Sequence, residues 1–187
     1  MAAAADEVLL VAFRWPDGDT ALRAAFAALG EPAVSPYRAI DGDAGCAWLD
    51  LACFDAGAVQ AALSPTLREL KLVRLERTRQ QPGASAGADA PFRYVVATDV
   101  EAAHEDDFNA WYEQEHLHGL AAVPGTVQAT RLVDPVGSPR YHACYDLATL
   151  DTFNSPAWLA VRGTAWSSRV RPNFRNTCRT MYRRVAA

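Results

Sequence analysis

The sequence predicts an α+β chain in which one element order, β-α-β-β-α-β, occurs twice. Three observations point to this. Short apolar runs are bounded by turn residues, alanine-rich helical stretches stop at glycine or run into proline, and the order restarts after a small polar segment. In the first pass Glu7 to Arg14 is an apolar run before the turn Pro16-Asp-Gly-Asp19, hence a strand. Asp19 to Gly30 is rich in helix formers and ends in glycine, hence a helix. Ala33 to Ile40 and Ala47 to Phe54 read as strands around the turn residues Asp41 to Gly45. Asp55 to about Leu70 reads as a helix, and Lys71 to Thr78 as the closing strand.

Gln80 to Ala90 is a linker by composition. After it, Phe92 to Thr98 is a strand and Asp106 to Leu120 a helix, for which Asp106 or Asp107 is the expected N-cap. Thr126 to Val133 and Tyr141 to Leu147 are strands around Asp134 to Pro139. Leu150 to about Ser168 is helical with interruptions at Pro156 and Gly163, and Asn176 to Val185 is the last strand. Each βαββαβ unit is a ferredoxin-like motif, a four-stranded antiparallel sheet with both helices on one face. The bare face of each sheet needs cover, and the other repeat's sheet is the economical partner. The expected fold is therefore two tandem ferredoxin-like βαββαβ repeats whose antiparallel sheets pack into an intrachain α/β barrel. The first repeat is 7–79, the linker 80–90 and the second repeat 91–185. A monomer is then feasible, and exposed edge strands also allow a homodimer.

With 187 residues, 50% hydrophobic, and a net charge of −4 from 18 basic and 22 acidic residues, the chain is globular rather than disordered. It holds no run of 18 apolar residues for a membrane span, and Met1 to Glu7 lacks the basic start of a signal peptide, so a cytoplasmic location is expected. Cys46, Cys53, Cys144 and Cys178 show no metal-knuckle spacing and read as reduced, with the last three as small hydrophobes inside apolar runs. Seven arginines and no acid follow from Arg162 onward. The acidic balance of the whole chain argues against reading them as a nucleic-acid surface. Gly83-Ala-Ser-Ala-Gly87 lacks the Lys-Ser/Thr of a phosphate loop, and neither a Gly-x-Ser-x-Gly elbow nor a Cys-His nucleophile spacing occurs.

The second repeat carries Asp107-Phe-Asn-Ala-Trp-Tyr-Glu-Gln-Glu-His116-Leu-His-Gly-Leu120, then Val123-Pro-Gly125 and a strand with Arg131. Tyr145, Ser155-Pro156-Ala157, Trp166 and an Arg/Tyr-rich last strand follow. This stretch, about 92–185, resembles the dimeric α/β-barrel superfamily, in particular its EthD-like group. It departs from that pattern at His118, where relatives often carry proline. The first half matches only in element order and lacks the Trp-Tyr-x-x-Glu-His sequence. The resemblance implies a cofactor-free monooxygenase, isomerase or cyclase acting on aromatic, polyketide-like or lactone substrates. The alternative it implies is a non-catalytic or stress-associated protein holding an apolar ligand or haem.

His116, Glu115 and Tyr112 are the candidate catalytic residues. On an α-helix Phe108, Tyr112, His116 and Gly119 share a stripe, with Trp111 and Glu115 beside it. The helix C-terminus and Glu115 both favour a charged His116, suited to general-acid work or to clamping an anionic oxygen. The same residues also fit a packed helix in which Glu115 pairs with an arginine such as Arg131. Trp111, Arg131, His142 and Arg179 are the candidate substrate-binding residues. Turned inward together, the last three make a cationic pocket for a carboxylate or enolate. A zinc site from His104, His116, His118 and His142 is a weak reading, because His116 and His118 stand about 200° apart on a helix. No metal and no cofactor is expected, haem being the alternative.

Overall fold

A computed structural model describes residues 6–16, 18–30 and 34–185. The strands are β1 (Glu7–Arg14), β2 (Tyr37–Ala39), β3 (Ala44–Asp50), β4 (Arg68–Pro82), β5 (Phe92–Val100), β6 (Thr126–Val133), β7 (Tyr141–Leu147) and β8 (Phe174–Arg184). The α-helices are α1 (Thr20–Ala27), α2 (Ala56–Leu63), α3 (Glu105–Trp111), α4 (Leu117–Ala121), α5 (Pro156–Arg162) and α6 (Ala165–Val170). The order β-α-β-β-α-β therefore occurs twice, and the strands hydrogen-bond in the closed order β1-β3-β2-β8-β5-β7-β6-β4, an antiparallel barrel. Two compact units divide at Arg77/Thr78 and at Thr180/Met181, inside β4 and β8. Among the described residues no helix is long and apolar enough to cross a membrane.

The first unit has a dry core. Leu9, Val11 and Phe13 of β1, Leu49 of β3, Leu22 and Phe26 of α1, and Val59 and Leu63 of α2 are all buried together. Trp15 stacks on Phe13 at 5.8 Å. Gly45 lies opposite Phe13 in the ladder, where a Cβ would come within 2.3 Å of the ring, so only glycine fits. The expected strand at 47–54 begins earlier, because the β1 ladder extends to Arg14↔Ala44 and Asp50 accepts a hydrogen bond from Ala52 N that turns the chain at 51–53. Asp55 caps α2 by accepting from Ala58 N at 2.8 Å. That helix stops at Leu63 rather than running to Leu70: Pro65 has no N–H to continue it, and Arg68–Leu70 join β4. Ala33, the expected start of β2, lies outside the described residues.

In the second unit β5, β6 and β7 hold close to their expected bounds, and every residue of β7 is buried. The segment expected as a linker begins inside β4 and is then pinned down. Gly83 N donates to Val127 O, and Ala84 N to Ala121 O. The expected interruption at Gly163 separates α5 from α6, whereas Pro156 opens α5 as its first residue, after Ser155, whose Oγ accepts from Trp158 N. The cysteine reading holds for Cys46 and Cys144, which are buried. Cys53 and Cys178 are exposed, so their apolar neighbours do not carry them into a core.

Gly125 sits at φ +93 in the turn before β6, and a Cβ there would come within 2.0 Å of Thr152 Oγ1 and 3.0 Å of Thr152 Cβ. Thr152 is buried and cannot swing away. Gly125→Ala is expected to destabilise the protein by about 2–4 kcal/mol, combining left-handed strain with overpacking. Denaturant unfolding of the two proteins measures this directly.

Candidate functional site

The helix carrying the candidate residues is not a uniform α-helix. It begins at Glu105, after a 3-10 turn at Ala102–His104, and between α3 and α4 the residues Tyr112–His116 form a π-helical turn. The N-cap position is His104, without a side-chain cap. Asp106 and Asp107 lie in the first turn, not at the cap expected for them. Asp107 accepts from Arg169 and from Trp166 Nε1 instead. The π turn inserts a residue into the α repeat, which brings residues five apart together beside those four apart. Trp111 stacks on His116 with ring centres 4.0 Å apart and planes 20° apart, and Tyr112 meets the imidazole edge-on at 5.3 Å. The expected four-residue stripe persists through this turn, with Phe108 5.0 Å from Tyr112, and the five-apart stack of Trp111 on His116 is added to it.

This geometry reverses the expected charge of His116. The ring is buried between aromatic side chains, and its Nδ1 has no hydrogen-bond partner. Burial, and then the nearby Arg162 and Arg171, push its pKa down to about 3. Neither the helix terminus nor Glu115 offsets that, so the imidazole is neutral at physiological pH. Glu115 accepts from Trp111 Nε1 at 3.2 Å and from Thr164 Oγ1 at 2.6 Å, and not from Arg131. Through these bonds it locks the Trp111 ring that covers His116, and it ties the helix to the N-cap of α6. Tyr112 is wholly buried, and burial raises its phenol to about 12, so it is a neutral hydroxyl.

Strand parity sorts the remaining candidates. Across the β5–β7–β6 ladder, Tyr94, Tyr145 and Ala129 are in register, as are Val96, Ala143 and Arg131. These share the helix-covered face, where Tyr145 meets Trp158 at 5.4 Å and Tyr141 meets Phe108 at 4.8 Å. His142 is in register with Ala97 and Leu132, one residue out of phase, and so stands on the opposite face with Cys144. There its Nε2 is 3.0 Å from Pro139 O. Arg131, His142 and Arg179 thus do not form one cationic pocket. Among the described residues no group of three or more His, Cys, Asp or Glu side chains gathers as metal ligands.

What does gather is a cavity of about 30 Å³ between the sheet and the helices, lined by Tyr94, Trp111, Tyr112, His116, Tyr145 and Trp158, with Arg162, Arg171, Phe174 and Arg179 completing it. Of the expected residues it unites His116, Tyr112, Trp111 and Arg179. Glu115 backs it through Trp111, and Arg131 lies beyond Tyr112 at a separate cleft. Three buried polar atoms on its walls lack a partner among the described residues: His116 Nδ1, Tyr145 Oη and Trp158 Nε1. Each such orphan costs about 1–3 kcal/mol. Arg162, Arg171 and Arg179 make no ion pair with a carboxylate among the described residues. Arg162 and Arg179 hold the pKa of Arg171 down, after its partial burial. Sequence reading missed Arg162, Arg171, Tyr94 and Trp158. The signal for the arginines was the acid-free run after Arg162, whereas nothing in the sequence reading marked the π turn.

The neutral His116 has a measurable consequence. Its folded pKa lies below the 6.5 of a free imidazole, so between pH 6.5 and about 3 the unfolded chain binds the extra proton. Stability from this group is full above pH 6.5 and is lost as the pH falls toward the folded value. In His116→Gln the slope of unfolding free energy against pH in that window is expected to be shallower by about 1.4 kcal/mol per pH unit. Urea melts at a series of pH values check it.

No family model and no curated protein matches the chain. Solved structures do. A candidate monooxygenase from Fusobacterium nucleatum is 12% identical with a TM-score of 0.72, over 98% of this chain and 94% of that one. A ferredoxin-fold protein from Listeria monocytogenes, described as related to antibiotic biosynthesis monooxygenases, is 9% identical with a TM-score of 0.63, over 98% and 97%. A haem-degrading enzyme from Listeria monocytogenes is 9% identical with a TM-score of 0.60, over 95% and 98%. At these identities the likeness is one of fold: this chain shares the ferredoxin-like α+β barrel architecture with them.

Proposed function

We propose that this protein is a cofactor-independent enzyme of the EthD-like type, acting by proton transfer on an aromatic, polyketide-like or lactone substrate that becomes anionic in the reaction. In this reading 7–79 is a diverged repeat, 80–90 a linker and 91–185 the repeat that carries the site, in a cytoplasmic protein. One observation carries the proposal: a neutral, unpartnered imidazole shares an aromatic cavity with three arginines that no carboxylate neutralises. His116 takes a proton from an acidic C–H or O–H of the substrate, and the electron pair stays behind as an enolate or phenolate. Arg162, Arg171 and Arg179 stabilise that charge as it forms, and the neutral hydroxyls of Tyr112 and Tyr145 are donors for the oxyanion. The bound anion offsets the arginine charges that disfavour imidazolium, so the proton acceptor strengthens as the reaction proceeds. Trp111, Trp158 and Phe174 supply flat apolar walls for the ring. Arg162 and Arg171 are half-buried and Arg179 is exposed, and a ligand larger than the cavity requires these long side chains to move outward.

The haem alternative meets one requirement and fails another. His116 Nδ1 is an unprotonated-capable nitrogen without a partner, and the arginines suit propionates. A space of about 30 Å³ nevertheless holds one or two water-sized groups, and a macrocycle would have to displace the packed Trp158 and Phe174. The residues as arranged do not fit haem.

The test is deuterium exchange at the acidic carbon of 2-coumaranone, an aromatic lactone, followed by proton NMR. Wild type is expected to accelerate the exchange, His116→Gln to lose about 100-fold or more of that acceleration, and Arg171→Gln to weaken binding. An exchange rate equal to buffer, or unchanged in His116→Gln, overturns the proposal. Thermal stabilisation by the lactone without any exchange would favour the non-catalytic binding reading.

A further inference from the structure

Arg131 is an almost fully buried guanidinium without an acidic partner among the described residues, set apart from the cavity at His116. Its Cζ lies 4.4 Å from the Tyr112 ring centre and 5.1 Å from those of Phe108 and Tyr141. Among the described residues its guanidinium makes one hydrogen bond, from Nη2 to Asn109 Oδ1 at 2.6 Å. A guanidinium carries five N–H donors, so most of its capacity is unused. Arg131 also lines a cleft of about 130 Å³, with Thr78, Arg79, Tyr112, Glu113 and Leu117. Tyr112 is the one wall this cleft shares with the cavity at His116.

The charges of the cleft do not cancel. Among the described residues that line it Glu113 is the only carboxylate; Glu113 Oε1 faces Arg79 Nη1 at 3.6 Å, and Arg79 Nη2 lies 3.4 Å from His118 Nε2. The cleft therefore holds two guanidinium groups against one acid. The three rings near Arg131 satisfy the charge in part, through cation–π attraction, and the N–H groups beyond the one given to Asn109 remain for an acceptor. A fork of parallel N–H groups matches a carboxylate better than a sphere or a tetrahedron. The volume accommodates a small carboxylate or the carboxylate end of a longer molecule.

We propose that the Arg131–Arg79 cleft is a carboxylate-binding site, distinct from the cavity at His116, in which Arg131 receives the carboxylate edge-on and Arg79 covers it from the solvent side. The proposal does not depend on the reaction assigned to His116.

The probe is acetate, exchanged for chloride at constant ionic strength, with the Nε–H resonances of the arginines followed by nitrogen-15 NMR. Arg131→Lys assigns the Arg131 signal. Wild type is expected to show a saturable shift of that signal, and Arg79→Gln to weaken acetate binding about tenfold, as expected for the loss of one charge-assisted contact. Arg171→Gln, at the other cavity, is expected to leave the titration unchanged. If Arg131→Lys does not fold, the signal is assigned from its contacts to the rings of Tyr112 and Tyr141, and the Arg79→Gln comparison decides. A signal that does not move with acetate, or moves equally in wild type and Arg79→Gln, overturns the proposal and leaves Arg131 as a purely cation–π packing residue.

Discussion

The chemistry available to the second unit depends on the two-residue period of the β5–β7–β6 ladder. Because successive side chains leave a strand on opposite faces, the register that pairs Tyr94 with Tyr145 and Val96 with Ala143 also decides where every polar residue goes. Arg131 follows Ala143 to the face beneath the helices, and His142, one residue away, goes to the other. A slip of one residue would exchange them. The separation of His142 from His116 and Arg131 is thus a property of backbone hydrogen bonding rather than of the residues themselves.

On the helix side, the π turn does comparable work. The added residue lays Trp111 flat on His116, five residues on, while Glu115, four residues on, holds that tryptophan by its indole N–H. The imidazole is then too dry and too close to Arg162 and Arg171 to carry a proton in the resting protein. Burial of a neutral histidine with an open nitrogen, beside uncompensated arginines, sacrifices stability locally. The rest of the unit offsets that cost through its packed aromatics and through pairs such as Arg93–Asp146, bidentate at 2.5 and 3.0 Å.

The two units use the space between helices and sheet in opposite ways. In the first, Phe13, Trp15, Leu22, Phe26 and Leu63 fill it with apolar side chains. In the second, the corresponding layer contains Tyr94, Tyr112, His116, Tyr145 and Trp158, several with polar atoms that their neighbours leave unanswered. The same element order thus supports one packed core and one layer with chemistry in it. The first half of the chain lacks the Trp-Tyr-x-x-Glu-His sequence, and this difference in packing is its structural counterpart.

The amino-acid sequence by itself determined the repeated βαββαβ order and the bounds of β1, β6 and β7. These are local matters of period and turn chemistry, and the same reading marked the Trp111–His116 segment as a candidate site. Where a strand end depended on a distant partner, as at β3 and the segment after Thr78, local signals missed it by several residues, and at α2 the local stop at Pro65 went unread. The protonation of His116, the partners of Glu115 and the parting of Arg131 from His142 were beyond local reading. Each depends on which side chains lie within a few ångströms after folding, and on how much water they exclude. The arginines show both sides of this. The sequence displays seven of them without an acid, but only the tertiary structure pairs Arg169 with Asp107 and Arg175 with Glu101. It brings Arg162, Arg171 and Arg179 to one cavity, because ion pairing and burial are decided by proximity in space and not by order along the chain.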